Sequence, residues 1–138
     1  LPMESALIFG DPDGIEIIEF TDPDCSYCRS YERFYNSIKN SYKIKRKIFF
    51  DTRIHPDAIN KVIHVICSDN QEEEYKKIYS GIKPEVYKTC EKSEEIIANH
   101  KLVAEHLGVS GTPTFILDGE VVTGFKKTKI TNFLNSKK

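Results

Sequence analysis

Two thiols three positions apart, Cys25 and Cys28, stand directly behind the run "IEIIEF" (Ile15 to Phe20). That run is apolar at nearly every position, the pattern of a strand covered on both faces. From Cys25 to Asn40 the period changes: Tyr27, Tyr31, Phe34, Tyr35 and Ile38 recur at helical spacing, so a helix begins at or near the first cysteine. A buried strand that hands over to a helix headed by C-x-x-C leaves three chemistries to weigh. The pair is half of a metal cage, a structural clip, or a couple that makes and breaks disulfides.

The remaining elements narrow the architecture. "SALIF" reads as a short strand followed by the turn "GDPDG", where Gly10, Pro12 and Gly14 supply the turn chemistry. "YKIKRKIFF" sets Ile44, Ile48 and Phe50 against Lys43, Lys45 and Lys47, as in a strand with one solvated face. Pro56 can open a helix that Ala58, Ile59, Val62, Ile63 and Ile66 carry to Cys67. "DNQEEEYKKIYSGI" and "SEEIIANHKLVAEHLG" read as further helices, the second with Ser93 as its N-cap and Gly108 closing it. "TFIL" and "EVVTGF" joined by Asp118-Gly119 form a hairpin, and a short helix near Thr128 to Asn135 ends the chain. The fold class is therefore α/β, a central mixed sheet flanked by helices with a helical insert, in one domain spanning residues 1–138.

With 138 residues and 39% hydrophobic content, a core alone can sustain folding, so disulfides are not needed in its place. The net charge of −1 speaks against a nucleic-acid partner, which asks for a clear basic excess on one face. The basic clusters "YKIKRK" and "FKKTK" are read as solvated faces. No apolar run is long enough for membrane insertion of this chain. The first residues have neither the basic nor the apolar region of a signal, and a start at Leu1 fits either a removed signal or an excised domain. Four cysteines, Cys25, Cys28, Cys67 and Cys90, allow three pairings and lean toward an oxidising compartment.

At a helix start the two sulfurs of C-x-x-C face each other across one turn. Cys25, at the N-terminal edge, has unsatisfied amides and the positive end of the helix dipole to stabilise a thiolate, the nucleophile for disulfide attack. Cys28, one turn inside, is expected to be more buried and to resolve the mixed disulfide. A zinc cage would want a second close pair of ligands, and the other cysteines and the four histidines do not provide one, so no metal is expected. A bare Cys25–Cys28 clip would close too short a loop to stabilise much.

Glu19 lies six residues before Cys25. Either it is a buried acid of raised pKa that exchanges a proton with the resolving thiol through a water, or it is a strand-edge carboxylate facing solvent; the sequence leaves both open. In "GVSGTPTF", a trans proline is poorly placed at the entry to a central strand. A cis Thr112–Pro113 bond makes a tight turn there and exposes the Thr112 backbone for pairing with an extended substrate segment. Tyr27, between the two thiols, is the best candidate for an exposed aromatic at a client surface.

Together, "FTDPDCSYC" and "LGVSGTPTFIL" resemble the catalytic domain of the periplasmic disulfide isomerase family, DsbC and DsbG, within the thioredoxin-fold thiol-disulfide oxidoreductases; the likeness extends over nearly the whole chain. The resemblance implies Cys25 as nucleophile, Cys28 as resolving thiol, Thr112 and cis-Pro113 as the opposing substrate-binding loop, and no cofactor. It implies cysteine-containing client proteins, a membrane or soluble thiol-disulfide redox partner, and a periplasmic or otherwise extracytoplasmic location. "VICSDN" and "YKTCEKS" resemble that family's helical insert with its structural disulfide, which pairs Cys67 with Cys90; free buried thiols are the alternative. Closing a loop of that length would contribute about 3 kcal/mol in the chain-entropy account.

Three departures stand out. The intervening dipeptide is Ser-Tyr where the isomerases usually carry Gly-Tyr, Glu19 is closer to the buried acid of thioredoxin and DsbA, and the N-terminal dimerisation domain of the isomerases is not found in these residues. The expected activity is isomerase or reductase. The alternatives are a DsbA-like dithiol oxidase and a redox-silent peptide-binding module.

Overall fold

The computed structural model describes residues 1–138. Five strands form one sheet: β1 (Leu7–Gly10), β2 (Ile15–Thr21), β3 (Ile44–Phe50), β4 (Thr114–Leu117) and β5 (Glu120–Thr123). Five helices accompany them: α1 (Ser26–Ile38), α2 (Ile59–Cys67), α3 (Gln71–Tyr79), α4 (Lys92–His106) and α5 (Lys127–Lys137). The sheet order is β1-β3-β2-β4-β5, and only β2 and β3 run parallel. Their crossover is α1, the connection a parallel pair requires.

Each sheet face has its own cover. Ile17, Ile44, Phe115, Leu117 and Val122 pack under Tyr31 and Tyr35 of α1 and Ile130 and Leu134 of α5. Leu7, Phe9, Ile48 and Phe50 meet α2 and α3 through Val62, Val65, Ile66, Tyr75 and Tyr79, and this cluster includes Cys25 and Cys28. On the opposite face Phe20 and Phe49 stack at 5.1 Å and lie against Val103 and Ala104 of α4.

The expected elements are present, with differences that have physical causes. Asp118 and Gly119 both take positive φ, as the tight hairpin demands, and Gly108 at φ +70 follows α4. Ser93 is not the cap of α4: Glu91 holds that position, while the Ser93 hydroxyl donates back to the Cys90 carbonyl from inside the first turn. Gly10 must be glycine, because at φ +78 a Cβ would stand 2.3 Å from the Ile44 carbonyl oxygen. Cys67 and Cys90 are joined by a disulfide that ties the end of α2 to the segment entering α4.

The reading of "YKIKRK" as a solvated face needs correction. Lys45 and Lys47 are half-buried, and Lys47 reaches Glu16 at 3.1 Å across the parallel pair. Arg46, by contrast, is fully buried. Strand alternation puts residue 46 on the side of Ile44, Ile48 and Phe50, which is the core side beneath α1.

Candidate active site

The parallel register brings the ends of β2 and β3 together, with Thr21 beside Phe50, and β4 starts at the same edge with Thr114 beside Phe20. Three segments leave or enter the sheet there: 22–25, 51–55 and 109–113. Clefts at the carboxyl ends of neighbouring parallel strands are where open α/β sheets place ligands.

Cys25 is the N-cap residue of α1, with extended backbone, and Cys28 lies one turn in; both thiols are free and buried. The Cys25 Sγ lies 3.5 Å from the Thr112 carbonyl oxygen, to which it donates. The Thr112–Pro113 peptide is cis. Around it the Thr114 hydroxyl donates to the Gly111 carbonyl at 2.6 Å, and the Gly124 N–H to the Pro113 carbonyl at 2.7 Å, so the residue that follows β5 steadies the loop. Burial pushes the Cys28 thiol up to about 12, helped by its hydrogen bond with Cys25 and opposed by the Asp22 N–H and by Thr112. Tyr27, between the thiols, is 67% exposed.

The turn "TDPDC" is built around Asp22. Its carbonyl accepts the Cys25 N–H at 3.1 Å, and its Oδ1 accepts the Asp24 N–H at 2.9 Å. The other oxygen, Oδ2, takes the His55 Nδ1–H at 2.6 Å. This carboxyl has no exposure, and burial holds it above the usual aspartate range against the pull of His55. Arg29 secures the same turn from α1 through the Pro23 carbonyl at 2.8 Å, and Lys61 of α2 bonds to Asp24. On the next segment Arg53 grips Asp51 through two hydrogen bonds and reaches the Val109 carbonyl at 2.7 Å, joining the third segment. A cleft of about 230 Å³ runs between these last two segments, lined by Asp51, Arg53, Ile54, Val109, Gly111 and Thr112 among others.

Glu19 is buried, so the solvent-facing alternative is overturned. Both its oxygens are taken by Arg46, from Nε at 2.7 Å and from NH2 at 2.8 Å. The same guanidinium bonds both oxygens of Glu32 on α1, at 3.1 and 2.7 Å. Its central carbon sits 4.0 Å from the centroid of the Tyr35 ring, with Tyr31 and Tyr75 further out, so the cation is closed in by aromatic faces. Burial raises the Glu19 carboxyl above its ordinary range while Arg46 pulls it back, and the two carboxylates keep the Arg46 pKa well above its usual value. One cation serving two carboxylates links β2, β3 and α1. Tyr31 is left as the one buried side chain whose polar atom, the hydroxyl, has no partner.

The structure thus brings Cys25, Cys28, Thr112 and Pro113 to one edge, exposes Tyr27 beside them, and sets Cys67 and Cys90 apart in the helical insert. It adds residues that the sequence analysis did not single out: Asp22, His55, Glu32 and Arg46. The signal for Arg46 was strand parity, and for Asp22 its place in the turn before Cys25. Glu32 shares the inward helical stripe of Cys28, Tyr31 and Tyr35. Nothing in the sequence pairs His55 with Asp22, 33 residues away. No three His, Cys, Asp or Glu side chains converge as metal ligands, and no helix is long and apolar enough to cross a membrane.

A sequence-family model described as a thioredoxin-like domain matches residues 7–135. None of the curated proteins compared matches the sequence. Among solved structures, a disulfide interchange protein from Neisseria gonorrhoeae superposes with a TM-score of 0.77 at 20% identity, covering 99% of this chain and 97% of its own. A periplasmic thioredoxin-like protein from Salmonella enterica serovar Typhimurium gives 0.73 at 18% identity, with 96% and 90% covered. The thiol-disulfide exchange protein alpha-DsbA2 from Wolbachia pipientis gives 0.73 at 16% identity, with 97% and 88% covered. At these identities the likeness establishes the fold.

Proposed function

The chain belongs to the thioredoxin-like domain family, and on that premise we propose that it is a protein thiol-disulfide oxidoreductase acting on cysteine-containing client proteins. The observation that carries this reading is the disposition of the two free thiols. Cys25 stands at the mouth of a helix against the Thr112 carbonyl, and Cys28 is buried one turn behind it in the same core cluster.

In this reading the Cys25 thiolate attacks one sulfur of a client disulfide. A Cys25–client bond forms, and the other client sulfur leaves with the electron pair and takes a proton. The client segment lies extended along residues 111–113, with Tyr27 at its rim. Cys28 then gives up its proton and attacks the Cys25 sulfur; the client leaves as a thiol and the Cys25–Cys28 disulfide remains. A redox partner, soluble or in a membrane, returns the pair to dithiol. Within the class we favour isomerase or reductase work of the DsbC and DsbG kind, in the periplasm or another extracytoplasmic space, with Cys67–Cys90 as a standing structural bridge. Since Arg46 occupies both oxygens of Glu19, we assign Glu19 chiefly to fixing the strands beneath the thiols.

The test is exchange itself. Insulin reduction by the wild type is expected to vanish in Cys25→Ala, while Cys28→Ser accumulates a mixed disulfide through Cys25. A Cys25→Ala protein with undiminished effect points to a redox-silent binding module. A reduction potential at the DsbA end, about −120 mV, would replace isomerase by oxidase.

A further inference from the structure

We propose that His55 is a positioning residue for the resolving thiol, acting through the buried carboxylate of Asp22. The proposal rests on the exchange reading above and names a group which that reading does not use.

Asp22 touches both halves of the redox pair through its backbone. Its carbonyl accepts the Cys25 N–H at 3.1 Å, and its backbone N–H is the one main-chain group that, with Thr112, lowers the Cys28 pKa against burial. Where residue 22 sits therefore contributes, beside Thr112, to how well the Cys28 thiolate is supported when it forms. That place is set by the side chain. Oδ1 closes the turn onto Asp24, and Oδ2 has the His55 Nδ1–H, at 2.6 Å, as its hydrogen-bond partner. The carboxyl has no exposure, whereas the His55 side chain is 43% exposed. A buried carboxylate oxygen deprived of its donor takes up a proton or draws in water, and either shifts residue 22.

His55 is itself well founded. Its carbonyl accepts the Ala58 N–H as the chain enters α2, and two residues earlier Arg53 is fixed to Asp51 and to Val109. The segment between β3 and α2 is thus a brace, tied to the loop before Pro113 by Arg53 and to the C-x-x-C turn by His55. The charged group acting on the carboxyl besides His55 is Asp24, which is bonded to Lys61; Arg53 and Asp57 stand two residues to either side of His55 in the sequence.

The step concerned is resolution. The Cys28 thiolate attacks Cys25 in the mixed disulfide, the Cys25–Cys28 bond forms, and the departing sulfur carries off the electron pair. The proton lost by Cys28 passes to solvent and an equivalent one is taken up by the released thiol. An Asn at position 55 can present its amide N–H where the ring Nδ1–H stands; a Leu cannot donate.

Ellman's reagent separates the two chemical steps on the reduced protein: the first aromatic thiolate released reports attack by Cys25, the second attack by Cys28. For His55→Leu the second phase is expected to slow about tenfold more than the first, the size of one lost hydrogen bond. His55→Asn is expected to restore the wild-type ratio of the two phases to within about twofold. Equal slowing of both phases in the Leu variant, an unchanged ratio, or failure of Asn to restore it overturns the proposal. A wild-type protein that releases no aromatic thiolate removes the exchange reading instead, and this inference with it.

Discussion

Replacing Arg46 by Met is the perturbation that the buried centre makes most informative. The guanidinium makes four hydrogen bonds to Glu19 and Glu32, and all three side chains are buried. Methionine fills the same stem but leaves two carboxyls in the core without a cation. Removing one member of a buried ion group costs about 3–5 kcal/mol, because the abandoned charge keeps its desolvation penalty and loses its compensation. For a chain of 138 residues that loss corresponds to a midpoint roughly 10–17 °C lower. It approaches the whole stability of a domain, about 5–15 kcal/mol.

The pH dependence has a defined sign. In the wild type Glu19 already stands above its ordinary value of 4.5 through burial, with Arg46 the main influence holding it down. Without Arg46 it rises further. A carboxyl raised on folding adds stability below its unfolded pKa and loses it as the pH climbs through the folded one. The penalty of Arg46→Met is therefore largest at neutral pH and shrinks on acidification toward 4.5. Urea unfolding at several pH values measures this. The triple change Arg46→Met, Glu19→Leu and Glu32→Leu should recover most of the loss, since an apolar core needs no compensation. A loss under about 1 kcal/mol for the single variant, or no recovery in the triple, would refute the argument.

Two further outcomes follow from other parts of the fold. Replacing Cys67 and Cys90 by Ser opens a loop with a sequence separation of 23 and should lower the urea midpoint by an amount equal to about 3 kcal/mol, with exchange at Cys25 retained. His100 accepts the Phe50 N–H at Nδ1 and donates from Nε2 to the Ser5 carbonyl, so the fold needs its neutral ring, and burial lowers its pKa below 6.5. The unfolded chain then binds the proton first, so stability is full above 6.5 and falls as the pH drops through the folded value. The stability of the wild type minus that of His100→Gln, followed by urea unfolding, should decline over that range; a constant difference would contradict the assignment.

Most of the architecture was readable because each element satisfies a local rule. "IEIIEF" is apolar on both faces because β2 lies inside the sheet with covers on both sides, and Asp118-Gly119 adopts the positive φ pair its residues allow. The thiol pair and the loop before β4 were legible as motifs. What the sequence concealed was electrostatic partnership at long range. A charge count treats Arg46 as one more member of a basic cluster, and only its parity with Ile44 and Ile48 marks it as inward. Its partners come from a neighbouring strand and the crossover helix, 27 and 14 residues away, and no local pattern states such a match. Ser93 shows the opposite failure: the residue type fits an N-cap, but its N–H and hydroxyl both turn back to the Cys90 carbonyl and the helix starts earlier, behind Glu91.

The two buried ionic groups divide the work that thiol exchange asks of a scaffold. Below the site, Arg46 bonds β2 and α1 from β3, so the strand that ends before the turn and the helix that begins after it are held to one point. At the site, Asp22 and Arg53 hold the turn and the loop before Pro113 through the brace between β3 and α2. The first arrangement is sealed by three tyrosine rings and is insulated from changes at the surface. The second has its outer members, His55 and Arg53, partly in solvent, their side chains 43% and 37% exposed. In the exchange we propose, a client pressed against Thr112 would meet the second group and not the first, so the Cys28 environment would respond through Thr112 and Asp22 while the strand frame beneath stays fixed.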